Sequence, residues 1–123
     1  MLQTPFDFAL LDERGTATQS FAAGEKIFLQ DEAASQMYVV RSGRVQIITY
    51  GTVLENVGPG GVFGEMAMID AGPRSAAALA SEATEVALID QELFLKLIQQ
   101  QPAFALGVMR LLVQRIRRMN AND

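Results

Sequence analysis

Phe63-Gly64-Glu65-Met66-Ala67-Met68-Ile69-Asp70-Ala71-Gly72-Pro73-Arg74-Ser75-Ala76 combines a turn glycine, a carboxylate at a predicted helix start and a single cation within one short run. A helix opening at Gly64 would aim unpaired backbone N–H groups and the positive end of its dipole at whatever lies in front of it, an arrangement that favours phosphate. Gly64 lets the backbone come close to such a group. Arg74 is the only Lys or Arg between Arg44 and Lys96, while Glu55, Glu65, Asp70, Glu82, Glu85, Asp90 and Glu92 fall in the same interval. A guanidinium among Ala76, Ala77, Ala78 and Leu79 is costly to bury without a partner, and its planar fork suits a phosphate. On the residues alone, an Arg74–Asp70 ion pair closing the loop is the alternative. For Glu65 the alternative is a carboxylate that merely favours the helix N-terminus.

Outward from this run, Thr16 to Asp90 breaks into short strands separated by glycine-bearing turns. The clearest strands are Lys26–Leu29, Gln36–Arg41, Arg44–Tyr50, Thr52–Val57 and Glu85–Ile89. Such spacing predicts a jelly roll. Ser42-Gly43 and Gly51 read as hairpin turns, and Val57-Gly58-Pro59-Gly60-Gly61 as a sharp approach to the anion-favouring loop. Upstream, Phe6, Leu10 and Leu11 sit at helical spacing and predict a short N-terminal helix over 5–13 that ends before Gly15. Downstream, Asp90 can cap a helix over Gln91–Gln100 whose apolar face is Leu93, Phe94, Leu97 and Ile98. Pro102 opens a second helix with Ala105, Val108, Met109, Leu112, Ile116 and Met119 in one stripe. That stripe can pack on the roll. Leu106, Leu111 and Val113 add apolar surface outside it, so a second copy of the chain can be touched as well, and a homodimer through this helix is expected.

With 123 residues, 50% of them hydrophobic, and a mean hydropathy of +0.17, the chain is sized for one domain. The expected layout is a single domain over 1–123, a β roll over about 16–90 and C-terminal helices over about 91–119. Cys and His are both absent. This removes disulfides, cysteine- or histidine-built metal and haem sites and every His-dependent triad, and no cofactor is expected. It also argues against a metal-dependent cupin enzyme, a jelly roll whose active site is generally built from histidines. A net charge of −4 and a pI near 4.8 speak against nucleic-acid binding. No basic leader and no apolar run of roughly 18 to 20 residues is present, so a cytoplasmic protein without membrane attachment is expected.

The opening run resembles the phosphate-binding cassette of cyclic nucleotide-binding domains, a Phe/Ile-Gly-Glu-Leu/Met-Ala-Leu element followed after a short loop by Pro-Arg-Ser/Thr/Ala-Ala. Phe63-Gly64-Glu65-Met66-Ala67 and Pro73-Arg74-Ser75-Ala76 fill both halves. Similarity extends through Gly24-Glu25, Met37-Tyr38-Val39-Val40, Ser42-Gly43-Arg44-Val45 and Val57-Gly58-Pro59-Gly60. The resemblance implies a mainly β double-stranded β-helix (jelly roll) with flanking helices: one N-terminal, one in the cassette and two at the C-terminus. It also implies a strand after the Pro-Arg element, where Ser75-Ala76-Ala77-Ala78-Leu79-Ala80 has helical propensity.

By the same resemblance the site comprises Phe63, Gly64, Glu65, Met66, Ala67, Arg74, Ser75 and Ala76, with Ile47 and Leu54 as the wall under the purine. Arg115, Met119 and Asn120 of the last helix are candidate lid contacts. The cyclic phosphate would be met by the Gly64–Met66 amides and by Arg74, and Glu65 would accept from the ribose 2′-OH. Ser75 stands where alanine often accompanies cyclic AMP and threonine cyclic GMP, and its hydroxyl suits either. Gly61 departs from the family, in which an acidic residue commonly precedes the Phe-Gly-Glu. The expected function is a non-enzymatic regulatory receptor for a 3′,5′-cyclic nucleotide, cyclic AMP favoured over cyclic GMP, that signals through movement of the C-terminal helix. A ligand-free structural or dimerisation module of the same fold is the alternative. No winged helix, channel or kinase follows the last helix, so an unidentified protein partner or a missing effector domain is expected to carry the output.

Overall fold

The computed structural model describes residues 16–70 and 72–118 in full and the backbone of 119–121. The predicted helix over 5–13 lies outside these. Two four-stranded antiparallel sheets form the roll. The first has the order β1 (Thr18–Phe21), β8 (Thr84–Asp90), β3 (Gln36–Ser42), β6 (Val62–Phe63); the second is β2 (Lys26–Phe28), β7 (Ala77–Ala80), β4 (Val45–Thr49), β5 (Thr52–Val57). Among the described residues three helices accompany them: α1 (Met66–Ile69), α2 (Gln91–Gln100) and α3 (Pro102–Ala121). The two sheets and C-terminal helices are the expected jelly roll with flanking helices.

Strand alternation explains the two cores. Tyr38 and Val40 of β3 and Val86 of β8 point inward to meet Phe21, Val45, Val57, Phe63, Ala78 and Ala80 between the sheets. Met37, Val39, Ala87 and Ile89 point outward from the same two strands, and Met68 of α1 with Phe94 and Leu97 of α2 cover them. β3 is therefore buried on both faces, which is why Met37-Tyr38-Val39-Val40 is apolar without alternation.

The alanine run is the strand β7, paired with β2 and β4. Its propensity is overridden because Ala78 and Ala80 are wholly buried between the sheets. Asp90 caps α2 as expected, accepting from the Leu93 amide at 2.9 Å. The β4–β5 hairpin turns at Tyr50 and Gly51, both with positive φ, closed by Thr49 opposite Thr52. Further along the same pair, Ile47 faces Glu55 and Ile48 faces Val53, so Leu54 is the extra residue of a β-bulge.

α3 is seated differently from the single predicted stripe. Val108 and Leu111 are its buried apolar residues, while Leu106, Met109, Val113 and Ile116 are exposed. The exposed set follows a three-four-three spacing, the period of a helix–helix seam. Toward the second sheet the last turns of α3 present Arg115 and Arg118, which reach Glu55 and the Leu54 carbonyl of β5.

A candidate anion and nucleotide site under the last helix

β6 ends the approach from Gly58-Pro59-Gly60-Gly61 and delivers the chain into Gly64, whose φ is +76°. The helix expected to open at Gly64 begins at Met66 and is one turn long, so its dipole is slight and a bound anion would have to rely mainly on Arg74 and nearby amides. Glu65, in the cap position, makes no side-chain capping hydrogen bond. The positive φ at Gly64 favours glycine, and a Cβ there would in addition lie 2.8 Å from Nη1 of Arg74.

Arg74 is pinned by its backbone to the β2–β3 connection, donating to the Glu32 carbonyl and accepting from the Asp31 amide, each at 2.8 Å. Its side chain is 6% exposed. Nη1 donates to the Gly64 carbonyl at 3.0 Å and Nη2 to the Gln36 carbonyl at 2.6 Å, and the guanidinium lies 4.0 Å over the Phe28 ring. Nε is buried without a partner. Asp70 does not pair with it. Desolvation lowers the Arg74 pKa from its ordinary value, partly opposed by Tyr38 and Glu32, yet a guanidinium remains charged at neutral pH. The cation is thus oriented by neutral carbonyls and an aromatic face, with no carboxylate hydrogen-bonded to it.

Glu65 is 1% exposed, and its carboxylate pairs with Nη1 of Arg115 from α3. The same guanidinium donates through Nε to Glu55 of β5 at 2.8 Å and through Nη2 to the Val62 carbonyl at 3.4 Å. Arg118, one turn on, donates to the carbonyl of the bulged Leu54 at 3.3 Å and stands 4.0 Å from Glu55. α3 is therefore riveted over the carboxylate expected to hold a ribose.

The remaining positions are distributed as follows. Phe63 is a core residue, stacked on Tyr38 with centroids 4.9 Å apart, and Ala76 is buried. Met66 and Ser75 are exposed beside each other, with Oγ 3.9 Å from the sulfur, and Ala67 packs toward the outer core. Ile47 leans on the inner core and Leu54 is exposed. Met119 and Asn120 lie where only the backbone is described. Sequence reading missed Phe28, Gln36, Glu55 and Arg118. Only Glu55 left a trace: alternation puts it on the face of the buried Val57, an inward carboxylate in a strand. A cavity of about 340 Å³ is lined by Thr16, Gln36, Leu88, Asp90, Leu93 and Lys96 among others, and none of residues 63–76 lines it.

The roll thus buries the Arg74 guanidinium beside a glycine turn and the Glu65 carboxylate beneath its terminal helix. Residues 18–101 match the family described as "Cyclic nucleotide-binding domain", and the chain belongs to it. It is 36% identical over 102 residues to the Cyclic AMP receptor protein of Thermus thermophilus, covering 79% of this chain and 47% of that protein. Among solved structures, the Thermus thermophilus Catabolite Activator Protein superposes with a TM-score of 0.81 at 31% identity, over 98% of this chain and 60% of that one. A structure described as part of "A cyclic-GMP-dependent signalling pathway" of bacterial phytopathogenesis gives 0.75 at 25% identity, over 89% of this chain and 92% of that one. The chain spans about half the length of the curated receptor it matches. Among the described residues, no helix is long and apolar enough to cross a membrane and no group of three or more acidic side chains could hold a metal.

Proposed function

We propose that the chain is a non-enzymatic regulatory receptor that binds a 3′,5′-cyclic nucleotide at the cassette, cyclic AMP in preference to cyclic GMP, and signals by moving α3. Arg74 carries this reading: it is a buried, charged guanidinium held by carbonyls, with a buried Nε lacking a partner, beside the Gly64 turn. A singly charged cyclic phosphate supplies the missing counter-charge through charge-assisted hydrogen bonds. Glu65 accepts from the ribose 2′-OH, Ile47 and Leu54 line the base, and Ser75 reaches the phosphate or the purine edge. The route to α3 is short, because Met68 of the cassette shares the outer core with Phe94 and Leu97, and Phe94 meets Phe104 of α3 edge-on at 6.0 Å. A ligand shifts this helix only by binding its two positions unequally. The name of the Thermus relative supports cyclic AMP, and the cyclic-GMP-pathway structure makes cyclic GMP the comparator.

The receptor acts in the cytoplasm as a homodimer through α3, with its output passing to a protein partner or an effector domain. The exposed Leu106, Met109, Val113 and Ile116 support that seam and also favour the second reading, a dimerisation module that binds no nucleotide. Titration calorimetry with cyclic AMP, cyclic GMP and 5′-AMP separates the two. Saturable heat with cyclic AMP, weaker with cyclic GMP and absent with 5′-AMP, is expected. No heat with any of them leaves the dimerisation module.

A further inference from the structure

We infer that Arg115 is an internal competitor for the ribose acceptor and that Glu55 is the positioning residue to which Arg115 is handed when the nucleotide arrives. This rests on the receptor reading of the cassette. Glu65 is buried, and its partner comes from α3, 50 residues away in the chain. Any hydroxyl that is to donate to Glu65 must therefore share it with Arg115 or displace it. Arg115 can give it up because its fork spans two carboxylates, with Nε on Glu55 and Nη1 on Glu65, and Glu55 is itself largely buried. Without Glu55, displacement would leave a guanidinium stranded between β5 and α3. With it, the cation keeps one charged partner on the rigid hairpin, and only the Glu65 contact changes hands. Arg118, one turn on, adds a second contact of α3 to Leu54 and Glu55 of the same strand.

The two residues should move affinity in opposite directions, which a merely structural pair would not do. Arg115→Gln removes the competitor, so cyclic AMP should bind tighter, by about tenfold if one charge-assisted contact no longer has to be broken. Glu55→Gln removes the receiving group and leaves Arg115 wholly on Glu65, so binding should weaken by a similar factor. In the double variant the Glu55 effect should vanish, because nothing remains to be received. The 2′-deoxy ligand never contests Glu65, and its affinity should barely respond to Arg115→Gln. Arg115→Lys, a conservative variant whose single ammonium cannot span both carboxylates, should fall between the wild type and Arg115→Gln.

Calorimetry on the wild type and these variants, each first checked for an unchanged thermal transition, decides the matter. Tighter binding by Arg115→Gln, confined to the ligand with a 2′-OH, supports the exchange. If Arg115→Gln misfolds, the Lys variant carries the same test. A wild type that binds while Arg115→Gln or Arg115→Lys weakens binding makes Arg115 a ligand contact and overturns the inference but not the receptor. A wild type that binds neither cyclic nucleotide overturns both.

Discussion

Arg74 is the residue on which the proposed anion recognition turns, and its surroundings set the size of its expected effect. Removing it leaves a cyclic phosphate desolvated against neutral groups, so Arg74→Ala should weaken cyclic nucleotide binding by at least ~2 kcal/mol. The inner core should hold, since the guanidinium lies at its margin over Phe28. Calorimetry paired with a far-ultraviolet spectrum checks this, and unchanged affinity in a folded variant would remove the cassette assignment. Gly64 is tied to the same group. An alanine there combines a φ of +76° with a Cβ 2.8 Å from the Arg74 fork, so it must either strain the turn or push the cation off the Gly64 carbonyl. Gly64→Ala should lower stability by about 1 to 2 kcal/mol and weaken nucleotide binding at the same time. A thermal melt beside the titration shows whether the two losses occur together.

Among the elements, those governed by local rules were legible in the sequence. The Asp90 cap and the Gly51 hairpin turn follow from neighbouring residues alone, whereas β3 was legible as a strand but not in its burial on both faces, which needs the other sheet and the helices. Asp90→Ala should therefore cost about 1 kcal/mol in chemical denaturation, with the midpoint moving and the slope unchanged. The alanine strand was legible only through the family pattern, because its burial depends on two sheets that no local rule brings together. α3 was legible as a helix but not in its seating: what turns it is Arg115 meeting Glu55, 60 residues upstream. A pair so distant leaves no periodicity to read. The same seating leaves Leu106, Met109, Val113 and Ile116 outward. Ile116→Lys on this seam should convert a dimer to a monomer by light scattering at micromolar concentration, because a charge opposite its own copy is repelled. A wild type already monomeric, with and without nucleotide, would leave α3 as a cover for the roll alone.

For the whole molecule, the candidate site occupies a junction of parts that the sequence keeps far apart. Arg74 belongs to the second sheet's approach, Gln36 to the first sheet, Glu65 to the cassette and Arg115 to the last helix. The cassette motif announced Gly64, Glu65 and Arg74 because those residues lie close together in the chain. Phe28, Gln36 and Glu55 went unnoticed because their parts in the site exist only after the roll closes.

β8 lies between β1 and β3 in the first sheet, facing Thr18 at Ala87 and Gln36 at Asp90. Neither neighbour can complete its ladder until the chain past residue 84 is available, so a nascent polypeptide on the ribosome must wait with two open strand edges. Pairings of such sequence separation carry a loop-closure cost before they are rewarded, and refolding on the scale of milliseconds to seconds is the usual outcome. During that interval the apolar β3 is the exposed segment most prone to self-association, which makes the speed of β8 docking a determinant of soluble yield.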